Sequence, residues 1–150
     1  MIELLIALQA IQVAILWLHD WVPLGRLNDV AAVRRQDGVA RLIRVTLIQS
    51  VPFTIGLAAS VVYLATRHPA WVWTWLWVSY ALLFAGELRA WWWPYLIRAE
   101  PERAARYRRL FGATAAFLPE RNGISPNILH TVLHAATAAT LVLLVMHSLR

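Results

Sequence analysis

Within its long apolar runs this sequence carries few groups able to move a proton or hold an ion. Glu87 lies near the end of one run, in Gly86-Glu87-Leu88-Arg89-Ala90-Trp91-Trp92-Trp93-Pro94-Tyr95. His130 and His134 open another, in Ser125-Pro126-Asn127-Ile128-Leu129-His130-Thr131-Val132-Leu133-His134. A charge at bilayer depth costs at least ~2.5–3.5 kcal/mol on insertion scales, so it normally has a partner or a purpose. Glu87 as acid or base, with His134 as its proton partner, would form a catalytic pair, with His130 as a further candidate. His130 and His134 also stand i,i+4 on one helical face, the spacing of two ligands to a single metal. Such a pair bonded to Thr or Glu is the commoner case, so no cofactor is favoured. Asp20, Arg89, Trp91 and Trp92 are candidate substrate-binding residues. The indoles would wall an apolar pocket, and their faces suit a carbocation or quaternary ammonium. Glu87 and Arg89 point ~160° apart on a helix and are no natural pair, so Arg89 reads as snorkelling to phosphate.

These residues need helices to position them, and the apolar pattern predicts four transmembrane spans, about residues 2–18, 42–66, 70–93 and 127–146. Gln9 and Gln12 in the first span should face other helices rather than lipid, and Trp17 and Trp21 bracket its end as anchors, with His19 and Asp20 between them. Asn28-Asp29 can cap a short surface helix ending near Gly38. Pro52 and Gly56 predict a kink or a close helix contact in the second span, where Gly56 and Ser60 form a small-xxx-small pair. Arg67-His68-Pro69 is a tight turn. Trp71, Trp73, Trp75 and Trp77 open the third span and Trp93 closes it, two aromatic belts ~33 Å apart at 1.5 Å rise. Glu100-Pro101 starts a helix running to about Leu118, its arginines and narrow apolar face suited to an anionic leaflet. Ser125 caps the fourth span and Pro126 opens it.

Sixty per cent of the 150 residues are hydrophobic and only 15% charged, a membrane composition for one domain. All basic residues are Arg and Cys is absent, which excludes disulfides, thiolate nucleophiles and iron–sulfur sites. The basic excess flanks apolar runs, and no nucleic-acid-binding motif accompanies it. Met1-Ile2-Glu3 has no basic n-region, so the first run reads as a retained helix. Loop one and its flank (Arg26, Arg34, Arg35, Arg41, Arg44) and loop three and its flank (Arg89, Arg98, Arg103, Arg106, Arg108, Arg109, Arg121) hold nearly all the arginines. By the positive-inside rule both termini lie outside, and the chemistry gathers in the cytoplasmic leaflet.

Glu-Leu-Arg-Ala-Trp-Trp-Trp-Pro-Tyr, then Phe-Leu-Pro-Glu-Arg, then Pro-Asn-Ile-Leu-His resembles a group of small uncharacterised bacterial membrane proteins. The resemblance covers Gly86 to His134. It implies a bacterial inner-membrane source and a four-helix fold, and no mechanism. The expected architecture is an all-α, four-transmembrane-helix bundle with a cytoplasmic amphipathic helix between helices 3 and 4. The expected function is a non-catalytic bundle that self-assembles or joins a larger membrane complex, in contact with anionic lipid headgroups. A small membrane enzyme acting on a lipid or isoprenoid is the first alternative, and a haem or metal protein using His130 or His134 with His19 is the second.

Overall fold

In the computed structural model every residue but Leu64, Ala65, Arg67 and Arg150 is described. Leu64 and Ala65, near the expected end of the second span at about Thr66, the Arg67 of the turn, and Arg150 lie outside the described residues. All elements found are helical: α1 (Ile2–Leu18), α2 (Val30–Asp37), α3 (Val39–Val62), α4 (Ala70–Glu87), α5 (Trp93–Leu96), α6 (Pro101–Phe111) and α7 (Ile128–Ser148). A 3₁₀ turn, Gly25–Leu27, precedes α2, and a π-helical turn, Leu88–Trp92, joins α4 to α5.

Local chemistry sets most of these boundaries. The Asp29 side chain accepts the Ala32 N–H at 2.8 Å and starts α2, and Gly38, at φ +71°, ends it. Proline at the first turn opens α6. Asn127, not Ser125, caps α7, because its Oδ1 accepts the His130 N–H at 2.9 Å. The π turn is the feature the sequence pattern did not announce. Its widened register carries the Trp93 N–H to the Leu88 carbonyl, one residue further back than in an α-helix.

Two of the long helices, α3 and α7, are long and apolar enough to cross a membrane, where four were expected. α1 is apolar throughout but only 17 residues long. α4 has the length, but Trp71, Trp73, Trp75, Trp77 and Tyr80, together with Glu87, lower its average hydropathy. Indole counts as weakly polar on that scale, although it favours the membrane–water interface.

α1 packs against α3 and α7, and α4 packs against the same two, while α2 bridges α3 and α6. The apolar core between the long helices is Leu5, Leu16, Phe53, Val72, Leu76, Tyr80, Leu133 and Leu144. α3 and α4 meet closely at Gly56: a Cβ there would sit 3.1 Å from Leu76 Cδ2. The small-residue contact expected from Gly56 and Ser60 is therefore present, with Ser60 fully buried.

Polarity is distributed in the reverse of the usual order. Gln9, Gln12, Ser50, Ser60, Thr137 and Thr140 have no exposed surface, whereas Ile48 and Leu82 are each 69% exposed. A helix assembly with buried amides and hydroxyls and outward-facing Ile, Leu and Val is arranged for an apolar solvent.

α6 corrects one expectation. Its apolar side is turned into the protein rather than laid on a leaflet: Ala104 and Leu110 are buried, and Tyr107 (edge to face) and Phe111 (tilted) pack on Trp91 at centroid distances of 4.7 and 4.9 Å. The helix ends at Phe111, well short of Leu118, and the following segment turns back through an isolated bridge between Arg121 and Ile124. Ile124 has no exposed surface, and Gly123 reaches its tight position at φ +75°.

Candidate functional site

Glu87 is the last residue of α4 before the π turn, and it is buried. Its Oε1 accepts the Thr137 hydroxyl at 2.9 Å, and its Oε2 has no partner. Thr137 is a junction, for its Oγ1 also lies 3.1 Å from Gln12 Oε1 and 3.1 Å from the Leu133 carbonyl. Gln12 Nε2 in turn donates to Thr140 Oγ1 at 3.0 Å and to the Leu8 carbonyl at 2.9 Å. The network therefore ties α1, α4 and α7 with side chains alone. A hydroxyl has one proton, so Thr137 serves one of its three acceptors at a time.

His134 is not the hydrogen-bond partner of Glu87. Trp92 Nε1 donates to His134 Nδ1 at 3.1 Å. An indole N–H can only donate, so Nδ1 is the bare nitrogen of a neutral ring and the proton sits on Nε2. The expected Glu87–His134 pair is thus replaced by Glu87–Thr137 and Trp92–His134. Glu87 instead reaches Thr137, three residues beyond His134 on α7, while His134 is taken by Trp92 at the end of the π turn.

A second group lies beyond the α1 terminus. His19 Nδ1 donates to the Ile15 carbonyl at 2.8 Å, and its Nε2 lies 3.3 Å from Asp20 Oδ2. His130 Nδ1 donates to Asn127 Oδ1 at 2.8 Å, since that oxygen already accepts the backbone N–H as the helix cap. That leaves His130 Nε2 as its basic nitrogen. The His19 and His130 rings meet edge to face at 5.6 Å, and Trp91 covers His130 at 4.4 Å. His19, Asp20 and His130 line a cavity of about 180 Å³ closed by Trp91, Tyr107 and Phe111. Burial pushes the Asp20 carboxyl above its ordinary value, while His19 pulls it down and Asp37 pushes it further up.

α2 and α6 are clamped over this cavity by Asp37, which receives Arg106 Nη2 at 2.6 and 2.8 Å and faces Arg41 Nη1 at 3.3 Å. The Tyr107 hydroxyl donates to the Ala90 carbonyl at 2.7 Å. Burial raises the Tyr107 phenol, against the pull of Arg103 and Arg106.

The sequence candidates therefore fall in three places. Glu87 belongs to the interior network. Asp20, His130 and Trp91 share the cavity, with His134 and Trp92 beside it, since the His130 and His134 rings are 6.1 Å apart. Arg89 lies exposed on the far side of the π turn, away from the cavity. As metal ligands His130 and His134 are not joined by a third group: among the described residues no set of three His, Cys, Asp or Glu is placed to hold an ion. Asn127, Thr137, Tyr107 and the Asp37–Arg106 clamp were missed as site residues. Thr137 alone carried a signal, standing three residues after His134 on the same helical face.

No family matches this chain, and no curated protein or solved structure does either. What fold and site define is a class: an all-α chain with two helices suited to crossing a membrane and a polar interior.

Proposed function

We propose that this chain is a polytopic protein of the bacterial cytoplasmic membrane, a single domain whose α1, α3, α4 and α7 all cross as a four-transmembrane-helix bundle. Its role is non-catalytic: the bundle assembles with itself or with a larger membrane complex, both termini outside and the arginine-rich loops in the cytoplasm. The observation that carries the reading is the inverted polarity, with the Gln12–Thr137–Glu87 network inside and Ile48, Leu82 and Val142 outside. α1 and α4 share that pattern with α3 and α7, because Gln9, Gln12 and Glu87 are buried while Leu4, Ile11 and Leu82 are exposed. The apolar side chains that remain uncovered supply surface for packing against another protomer. A reporter enzyme active only in the cytoplasm, fused after Arg150, should be silent, and one inserted in the 112–123 loop should be active. Activity at the C-terminus would overturn the orientation. Single-cysteine crosslinking on the outer faces of α3 and α7 in membranes should yield dimers or heteromeric adducts, and monomer alone would refute the assembly role.

A second reading is favoured by one feature, the cavity holding a bare His130 nitrogen beside Asp20. In it the chain is a small enzyme acting on a lipid or isoprenoid by acid–base chemistry, with His130 as base and Asp20 as acid. Glu87, tied to Thr137, would serve that site only through the bundle. Lipid turnover abolished by His130→Gln, with folding intact, is the result that would select this reading.

A further inference from the structure

The geometry points to a discrete binding site for one anionic phospholipid on the outer side of the π turn, where a groove of about 730 Å³ runs between the α4 end and the start of α6. The inference rests on the membrane-spanning reading of α4 above. The floor of the groove is apolar: Leu88, Trp92, Trp93 and Ile97 line it, and Leu88, Trp93 and Ile97 stay exposed. Its rim is basic, with Arg89, Arg98 and Arg103 set against a single acid, Glu100. Among the described residues none of these arginines has a carboxylate within 4 Å, whereas Arg41 and Arg106 both engage Asp37.

Two features make this a site rather than a charged collar. The volume falls in the range of pockets that hold small amphiphilic molecules. The charge and the apolar floor belong to the same concavity, so a ligand must offer an anion and a chain together. Arg103 Nη1 also donates weakly to the Arg89 carbonyl at 3.3 Å, which ties the α6 arginine to the backbone of the π turn and sets the rim. Basic pockets at the cytoplasmic ends of transmembrane helices recognise anionic headgroups by this means, the guanidinium fork matching phosphate oxygens. An acyl chain would lie along Leu88 and Ala85 toward the bilayer interior, and the indoles of Trp92 and Trp93 would lie at headgroup depth. A zwitterionic lipid would leave the excess arginine charge uncompensated.

The test is titration of the detergent-purified full chain with phosphatidylglycerol, phosphatidylcholine and inorganic phosphate, read by native mass spectrometry. One phosphatidylglycerol should bind per chain, at least about tenfold more tightly than phosphatidylcholine. Arg89→Gln with Arg103→Gln should weaken it roughly 30-fold, from the worth of two basic residues near a headgroup. Arg34→Gln with Arg35→Gln, equal in charge but outside the groove, should leave it unchanged. If the first pair fails to fold by circular dichroism, Arg98→Gln with Trp93→Ala gives the same readout from the exposed rim and floor. Equal weakening by the Arg34/Arg35 pair would make the attraction diffuse and refute the site. Phosphatidylcholine binding as tightly would refute the anion requirement, and inorganic phosphate binding as tightly would replace the lipid with a free anion. A chain that resists carbonate extraction from membranes yet shows no lipid preference sinks the groove alone. A chain released by carbonate sinks the spanning reading, and the groove with it.

Discussion

Replacing Thr137 by Val tests whether the interior network holds the helices together. Valine keeps the shape of threonine and removes only the hydroxyl. That hydroxyl lies within 2.9 Å of Glu87 Oε1 and 3.1 Å of Gln12 Oε1, and Glu87 Oε2 already has no partner. Thr137→Val therefore leaves a buried carboxyl with neither oxygen bonded and a buried amide oxygen beside it. The lost interhelical bond itself is worth about 0.6 kcal/mol in a membrane, at most ~1.7. An orphaned buried acceptor adds ~1–3 kcal/mol. The sum expected is about 1.5–3.5 kcal/mol, dominated by the orphaned groups. Thr137→Ser, which keeps the hydroxyl, should cost clearly less, on the order of 1 kcal/mol for the lost methyl. Adding Glu87→Met to Thr137→Val removes acceptor and donor together and should recover much of the loss, because paired apolar replacement is nearly neutral. Equilibrium unfolding in mixed micelles with increasing SDS measures the parent, these three variants and Glu87→Met alone. A Thr137→Val chain as stable as the parent, or losses that simply add in the double variant, would refute the network's role.

Gly123→Ala should cost ~2–3 kcal/mol, from a φ of +75° and a new Cβ 2.7 Å from Ala104 Cβ; Gly25→Ala, at φ +62° in open space, should cost only ~1 kcal/mol by the same denaturation assay. Asp20 gives a pH signature. Burial raises its folded value above 3.8, so its contribution to stability is present below 3.8 and is lost as pH rises through the raised value. The melting temperature of the parent relative to Asp20→Asn should therefore fall as pH climbs from about 4, and a rise instead would mean that the contact with His19 outweighs burial.

How far the sequence could be read depended on whether an element is set locally. α1, the Asp29-capped α2 and the proline-opened start of α6 follow from residues within a turn of their own ends and lie close to where pattern places them, whereas α6 ends at Phe111, short of the expected Leu118. That Gln9, Gln12 and Glu87 point inward was equally legible, because a polar side chain on an apolar helix has few other places to go. Their partners were not. Depth counted at 1.5 Å per residue places Glu87 level with His134, whereas its partner Thr137 stands three residues, ~4.5 Å, further along α7. The apolar stripe of α6 was visible for the same reason, but what it covers was not, since Trp91 and Ile124 come to it from distant parts of the chain. The average hydropathy of α4 is lower than that of α3 and α7 because indoles stand where those helices carry aliphatic residues.

Pro94, two residues beyond the π turn, gives a last contact that can be tested. Proline has no N–H for the carbonyl four residues back, and its ring crowds that carbonyl. The carbonyl is Ala90, and it is the one that receives the Tyr107 hydroxyl at 2.7 Å. α6 is therefore fastened to the helix at the point where the helix cannot satisfy itself. Tyr107→Phe should cost about 1 kcal/mol, the low end for an orphaned acceptor, because Ala90 is only half-buried. In a Pro94→Ala background residue 94 regains its N–H and can serve Ala90 directly. Tyr107→Phe should then cost close to nothing beyond its lost hydration. The double-mutant cycle should return a coupling of about 0.5–1.5 kcal/mol between two residues that are neither in sequence contact nor bonded to one another. A second readout guards against a purely structural loss: trypsin cleavage at Arg108 and Arg109 should quicken in Tyr107→Phe and slow again in the double variant, as α6 loosens and re-seats. If the two substitutions add independently and cleavage does not respond, the phenol is an ordinary surface contact and the coupling through Ala90 is refuted.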